Sequence, residues 1–244
     1  MRKIIFKYSI ELIVIIVSIL ISFSLESARQ SSIEKELKNK IITRLVSVIN
    51  EDIKQIDGFI YLQNYSLNSC NKLFQNLSGD YNMSNDSIMY HISSVSRALR
   101  SFFPQGSVFN QLVSSDLIKM IESEELTRKL FKLYNEDLKR HDVHTKEFDN
   151  FFLKFNYSLS ENYFLQDNWS NSPTDSNPIR IHSYRFNEEY YKSNRMFSDI
   201  IESKTSIIQY LQELNVLRKS FSTLKDLCVV ELSINYIERT CKEL

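Results

Sequence analysis

Glycine and proline are nearly missing: the 244 residues hold three of each. Glycine supplies the positive-φ positions of tight turns and proline interrupts helices, so a chain poor in both has few turns and long uninterrupted elements. The same scarcity removes glycine-rich phosphate loops. Neither G-x-x-x-x-G-K-[ST] nor G-x-G-x-x-G occurs, and H-E-x-x-H and G-x-S-x-G are missing as well. Net charge is also lacking, with 30 Lys and Arg against 30 Asp and Glu, so no global field draws the chain to nucleic acid. Cysteine is scarce and odd in number. Cys228 and Cys241 fall on one predicted helix, about 20 Å apart along it and too far to bridge, which leaves Cys70 without an obvious mate. Small buried hydrophobes fit this set better than a disulfide framework; an intermolecular bridge is the other reading.

What is present begins with an apolar run. Leu12 to Leu25 carries no charge, and counting from Tyr8 gives about 18 residues, roughly 27 Å of helix and enough to cross a hydrocarbon core. Arg2, Lys3 and Lys7 bias the short start towards the cytoplasm, against Arg29, Lys35, Lys38 and Lys40 beyond the run. A cleaved signal peptide is the rival, with Leu12 to Ile21 as its apolar core and Ser22-Phe23-Ser24 as a small-x-small site. Glu11 interrupts its start, Ala is missing from the usual positions and the helical pattern continues past the cut, so a signal-anchor is expected. Glu11 itself pairs with Lys7 and snorkels, or joins Ser18 and Ser22 on one helix face that permits close approach of a second helix.

Beyond the run, apolar residues recur at helical spacing. Ile33, Leu37, Ile41, Leu45, Val48, Ile49, Ile53, Ile56 and Ile60 predict one helix from Ser27 to about Ser78, closed by Gly79-Asp80. Asp86 is expected to cap a second helix, Pro104-Gln105-Gly106 to end it, and a short helix to cover Val108 to Val113. Ser114-Ser115-Asp116 then opens Leu117 to Ile121. Ser123 caps a third main helix running to about Leu165, with Leu126, Leu130, Tyr134, Leu138, His141, Thr145, Phe148, Phe152, Phe155 and Leu159 on its buried face. About 166–192 reads as an irregular loop, with Ile179 to Phe186 extended. The last helix, Ser193 to Lys242, has a coiled-coil-like seam and nearly matches the first in length, which predicts an antiparallel pair.

Two stretches carry a family resemblance. One is the opening: the basic start, Glu11, the Val14 to Ile21 run, then Glu34-Lys35-Glu36-Leu37. The other is Phe109-Asn110-Gln111-Leu112-Val113-Ser114-Ser115, Leu117 to Ile121, Glu124-Glu125-Leu126, and Leu130 to Tyr134. In these the chain resembles an uncharacterised Bacteroidota-type family of single-pass membrane-anchored helical proteins of unknown function. It departs from that pattern at Ser18 and Asp116, where members carry glycine, and at Glu26-Ser27-Ala28, where an Asn-Trp commonly follows the span. The resemblance implies an anchored helical protein and transfers no catalytic residue.

Three groups of side chains are candidates for chemistry or binding. Asp137, His141 and His144 stand at i, i+4 and i+7, a spacing that could present metal ligands from one face, although His141 also lies on the apolar stripe. Trp169, Arg180, His182, Tyr184, Arg185, Phe186, Tyr190 and Tyr191 are residue types favoured at interaction hot spots; they either clamp the loop or form a partner-binding surface. Glu11, Ser18 and Ser22 make the third, a membrane-helix interaction face.

The expected fold is all-α: a cytoplasmic tail 1–7, a transmembrane helix 8–25, and an elongated antiparallel helical bundle 26–244 outside the cytoplasm. The expected function is that of a membrane-anchored interaction or scaffold protein in a bacterial cytoplasmic membrane, with its main domain periplasmic. No catalytic residue and no cofactor is expected; the partners are the lipid bilayer and a protein partner or second copy, not nucleic acid. The alternatives are a ligand-sensing domain signalling through a membrane partner and a metal-dependent enzyme.

Overall fold

The computed structural model describes the backbone of residues 2–169 and 179–242 and the side chains of residues 13–168 and 179–233. Glu11, Trp169 and Cys241 therefore have no described side chains, and residues 170–178 of the expected loop lie outside the described residues altogether. Helices α1 (Arg2–Leu77), α2 (Asn85–Ser96), α3 (Ser107–Ser114), α4 (Glu124–Phe131), α5 (Leu138–Asn162), α6 (Glu188–Tyr191) and α7 (Asn194–Lys242) account for most of the chain, with strands β1 (Phe164–Trp169) and β2 (Ile179–Arg185) forming one hairpin. The chain divides into two compact units: Met1–Ser47 with Gly106–Arg128 and Leu227–Leu244, and Val48–Gln105 with Lys129–Asp226.

α1 contains no proline, and its one internal glycine, Gly58, does not break it. An 18-residue window within Ile13–Leu77 has a mean hydropathy of 1.6 and none of it is buried, so this one helix is long and apolar enough to cross a membrane. The helix stops at Gly79, whose φ of 82° is the left-handed closure that glycine accepts without strain.

In the first unit, α1 is buried at Lys38, Ile41, Ile42 and Leu45, with Val108, Phe109 and Leu112 buried on α3 and Cys228 and Glu231 on α7. Ile33 and Leu37, expected in that stripe, are 47% and 44% exposed. Asp116 adopts φ 60°, in the left-handed region.

In the second unit, Asp57 pairs with Arg218 at 2.5 Å and the Phe74 ring stacks on Phe197 at 5.5 Å, so α1 and α7 run antiparallel there. The stripe of α5 is buried as its spacing requires, from His141 and Thr145 through Phe148, Phe152 and Phe155 to Leu159. On α7, Met196, Ile200, Ile207, Leu214, Leu217, Phe221 and Leu224 are buried, while Ile201 is exposed. Cys70 and Cys228 are free, buried thiols whose burial pushes their pKa values up to about 12, so they behave as core hydrophobes.

Four details differ from the expected elements. Ser84, not Asp86, caps α2: its Oγ accepts the Ser87 N–H at 3.3 Å, while Asp86 accepts the Tyr184 hydroxyl at 2.5 Å. The third main helix is interrupted by a π turn, Lys132–Asp137, whose five-residue step brings the Lys132 ammonium within 2.6 Å of both Asp137 oxygens. That helix ends at Asn162 rather than Leu165, because its apolar stripe runs out at Leu159 and Tyr163 turns to an extended conformation. Residues 164–169 then pair antiparallel with β2, with an irregularity between Gln166 and Asp167. Most of the expected loop is thus a hairpin followed by α6.

Candidate functional site

On the exposed apolar part of α1, Ser18 Oγ donates to the Val14 carbonyl at 2.8 Å and Ser22 Oγ donates to the Ser18 carbonyl at 2.9 Å. Both hydroxyls are satisfied by their own helix, as serine prefers in an apolar setting. What they leave is a shallow groove bordered by Ser18, Ile19, Ser22, Phe23 and Glu26. Both hydroxyl protons are thereby committed to the helix's own backbone.

The first unit holds a polar centre that spacing did not reveal. Lys38 Nζ lies 2.8 Å from Glu231 Oε1 with both side chains wholly buried, and donates also to the Met120 carbonyl at 3.3 Å. The Glu231 carboxylate accepts the backbone N–H groups of Glu122 and Ser123 at 3.0 and 3.2 Å, just ahead of α4. Ser123 is the α4 cap, its Oγ accepting the Leu126 N–H at 3.1 Å. The available signal was Glu231 itself: it follows Phe221, Leu224 and Cys228 at the seam spacing, so a carboxylate occupies a core position.

The second unit is organised around residues 99–105, the irregular segment between α2 and α3. Ser101 and Phe102 are buried in it, whereas Arg100 and Phe103 are exposed. Side chains of three helices hydrogen-bond the segment, since buried backbone groups need partners. Gln63 of α1 donates to the Ala98 and Arg100 carbonyls at 2.9 and 3.4 Å. Tyr210 of α7 accepts the Phe102 N–H at 2.8 Å, and burial holds its phenol up to about 12. His141 of α5 places Nε2 3.2 Å from the Phe102 carbonyl, and Asp149 accepts from Ser101 Oγ. Asp52 of α1 accepts the Gln105 N–H at 3.3 Å.

His141 is 2% exposed and stacked on Tyr210 with ring centroids 6.0 Å apart. Its Nδ1 lies 3.0 Å from Glu213 Oε1, and Thr145 Oγ1 is 3.2 Å from Nε2. The other Glu213 oxygen is 3.4 Å from His144 Nδ1. Asp52 is fully buried with one carboxylate oxygen unpartnered among the described residues. Burial, opposed by the Gln105 N–H and reinforced by Glu51, raises its pKa from 3.8 to about 6.

Bordering this network, α5 and α7 flank a cleft of about 690 Å³. Asp137, Arg140, His144, Glu147, Glu202 and Glu213 supply its charged lining, and Phe148, Phe151 and Tyr210 its aromatic surface. Of the expected metal-ligand trio, Asp137 is engaged by Lys132, His141 faces inward, and His144 is 53% exposed at the cleft. They share a helix face but not a common centre. Among the described residues no group of three or more His, Cys, Asp or Glu side chains is placed to hold a metal ion.

The aromatic and basic residues of the hairpin region separate into two sets. Phe186 stacks near Tyr163 and Tyr191, Tyr190 shares a hydrogen bond with Ser158 at 2.7 Å, and Tyr191 is buried with its hydroxyl donating to Asn76 at 2.7 Å. These clamp the region onto the helices, and Tyr184 does the same through Asp86. Arg180, His182 and Arg185 stay exposed. No protein-family model, curated protein or solved structure matches this chain.

Proposed function

We propose that this chain is a membrane-anchored interaction or scaffold protein, held by residues 8–25 with its N-terminus in the cytoplasm and its helical units outside. The observation that carries the reading is that one unbroken helix bears both an uncovered apolar run and, from Lys38, a face buried in a bundle. Such a helix matches an anchor joined rigidly to a folded unit, and the groove at Ser18 and Ser22 suits approach of a second membrane helix. The basic start supports the orientation. In native membranes, Ser18→Leu with Ser22→Leu is expected to reduce cross-linked oligomers or recovery of a protein partner several-fold, by closing the groove. Unchanged cross-linking would remove the membrane face from the proposal.

A second reading, a ligand-sensing domain, draws on the cleft between α5 and α7. It predicts that a small molecule carrying a cationic group raises the melting temperature of the chain in detergent, with the rise lost in Glu147→Gln/Glu202→Gln. A screen of such compounds without any shift would count against it.

A further inference from the structure

We propose that the cleft between α5 and α7 binds a short linear peptide by its two ends, the N-terminal ammonium at Glu147 and the C-terminal carboxylate at Arg140. The inference rests on the ligand-sensing reading of this cleft and names its ligand class, an amphoteric chain of about three residues. At about 690 Å³ the cleft lies within the usual range of small-ligand pockets, about 300–1,000 Å³.

The two helices set the length of the ligand. They run antiparallel here, since His141 Nδ1 lies 3.0 Å from Glu213 Oε1 and the Phe148 ring stacks on Tyr210 at 4.4 Å. Arg140, His144, Glu147 and Phe151 follow one another along the α5 wall. Seven residues of helix separate Arg140 from Glu147, about 10 Å along the axis. A fully extended tripeptide covers about 10 Å. Glu202 precedes Tyr210 on α7 and therefore lies beyond Glu147, away from Arg140, where it adds negative potential to the ammonium end.

The other charges of the lining are already engaged. Lys132 holds Asp137 at 2.6 Å, and Glu213 is shared by His141 and His144 at 3.0 and 3.4 Å. Arg140, Glu147 and Glu202 are exposed and have no ion-pair partner among the described residues. Opposite charges left open at separate levels of one cleft match a ligand that carries both signs. Gln209 and Gln212 line the α7 wall across from the stretch between them, without a hydrogen bond among the described residues. Each side-chain amide donates and accepts, as a peptide group does. Phe148, Phe151 and Tyr210 supply an apolar surface for a ligand side chain. Charge of opposite sign at the ends, amides between them and an apolar side chain together describe a peptide.

The test is calorimetric titration of the full chain in detergent micelles with the tripeptide Ala-Phe-Ala, its C-terminal amide and its N-acetyl form. The free peptide is expected to bind, and each blocked form to bind about tenfold more weakly, because each lacks one charge-assisted contact. Arg140→Gln should weaken the free peptide about tenfold and leave the amide as in the parent, whereas Glu147→Gln/Glu202→Gln should do the same for the N-acetyl form. All three positions are exposed, so the variants are expected to unfold as the parent does. Phenethylamine, an aromatic amine without a carboxylate, separates this proposal from the wider reading. If it binds as tightly as the tripeptide and is lost in the glutamate variant, a cation site stands and the peptide falls. If neither compound binds at millimolar concentration, both fail. Blocked peptides that bind as well as the free one, or variants that weaken all three forms alike, would also overturn the proposal.

Discussion

Glu231→Gln is expected to destabilise the chain by about 3–5 kcal/mol, because it leaves the Lys38 ammonium buried opposite a neutral group. Lys38 and Glu231 are both 0% exposed, so no water is at hand to replace the lost partner. The Glu122 and Ser123 N–H groups bond different oxygens of Glu231, so the single amide oxygen of the new glutamine keeps one of them and leaves the other facing an NH2 donor, which adds to the loss of charge. Lys38→Met should cost less: it strands the carboxylate, yet two backbone donors ahead of α4 still face it. Joining the two as Lys38→Met/Glu231→Gln should recover at least half of the loss, since a buried pair replaced by neutral groups of similar volume is often close to neutral. Denaturant unfolding of the four proteins in detergent measures each term and their coupling. A harmless Glu231→Gln, or a double variant no better than that single one, would show that the pair is not buried in solution.

Phe221→Ala should cost a similar amount, about 3–5 kcal/mol, for a different reason. The side chain is fully buried, and its ring meets Phe102 at 6.0 Å and Tyr134 at 6.5 Å, both edge-to-face. Removing it opens a cavity and also cancels two aromatic contacts worth about 0.5–1.5 kcal/mol each. Since Phe102 belongs to the segment 99–105 and Tyr134 to the π turn, one ring joins α7 to both of these irregular segments. Phe221→Leu, apolar but without the ring, should recover more than half of the stability. Denaturant unfolding reads both. A loss below about 1 kcal/mol for Phe221→Ala would mean the site collapses freely and is not the keystone of that cluster.

These two sites differ in how visible they were beforehand. Phe221 sits on the α7 seam between Leu217 and Leu224, and periodicity alone places it inside. Lys38 and Glu231 are charged, and charged residues on helices are normally solvated. Nothing in their spacing pairs two residues 193 positions apart. Their meeting depends on where α7 returns alongside α1, which is a matter of tertiary register. The same applies to His141. Its place on an apolar stripe was legible, but its partners Glu213 and Phe102 come from elements distant in sequence.

The apolar run, the two long helices, the turn at Gly79, the Ser123 cap and the aromatic face of α5 were determined by the sequence alone. Each rests on local physics: helical periodicity, the scarcity of glycine and proline, and the capping preferences of serine. The β1 strand, the π turn, the exposure of Ile33 and Leu37, the buried Lys38–Glu231 pair and the seating of residues 99–105 were decided only by the tertiary structure. Strand pairing, backbone satisfaction and ion-pair burial depend on what lies opposite a residue, and the identity of that neighbour is not written in the spacing around it.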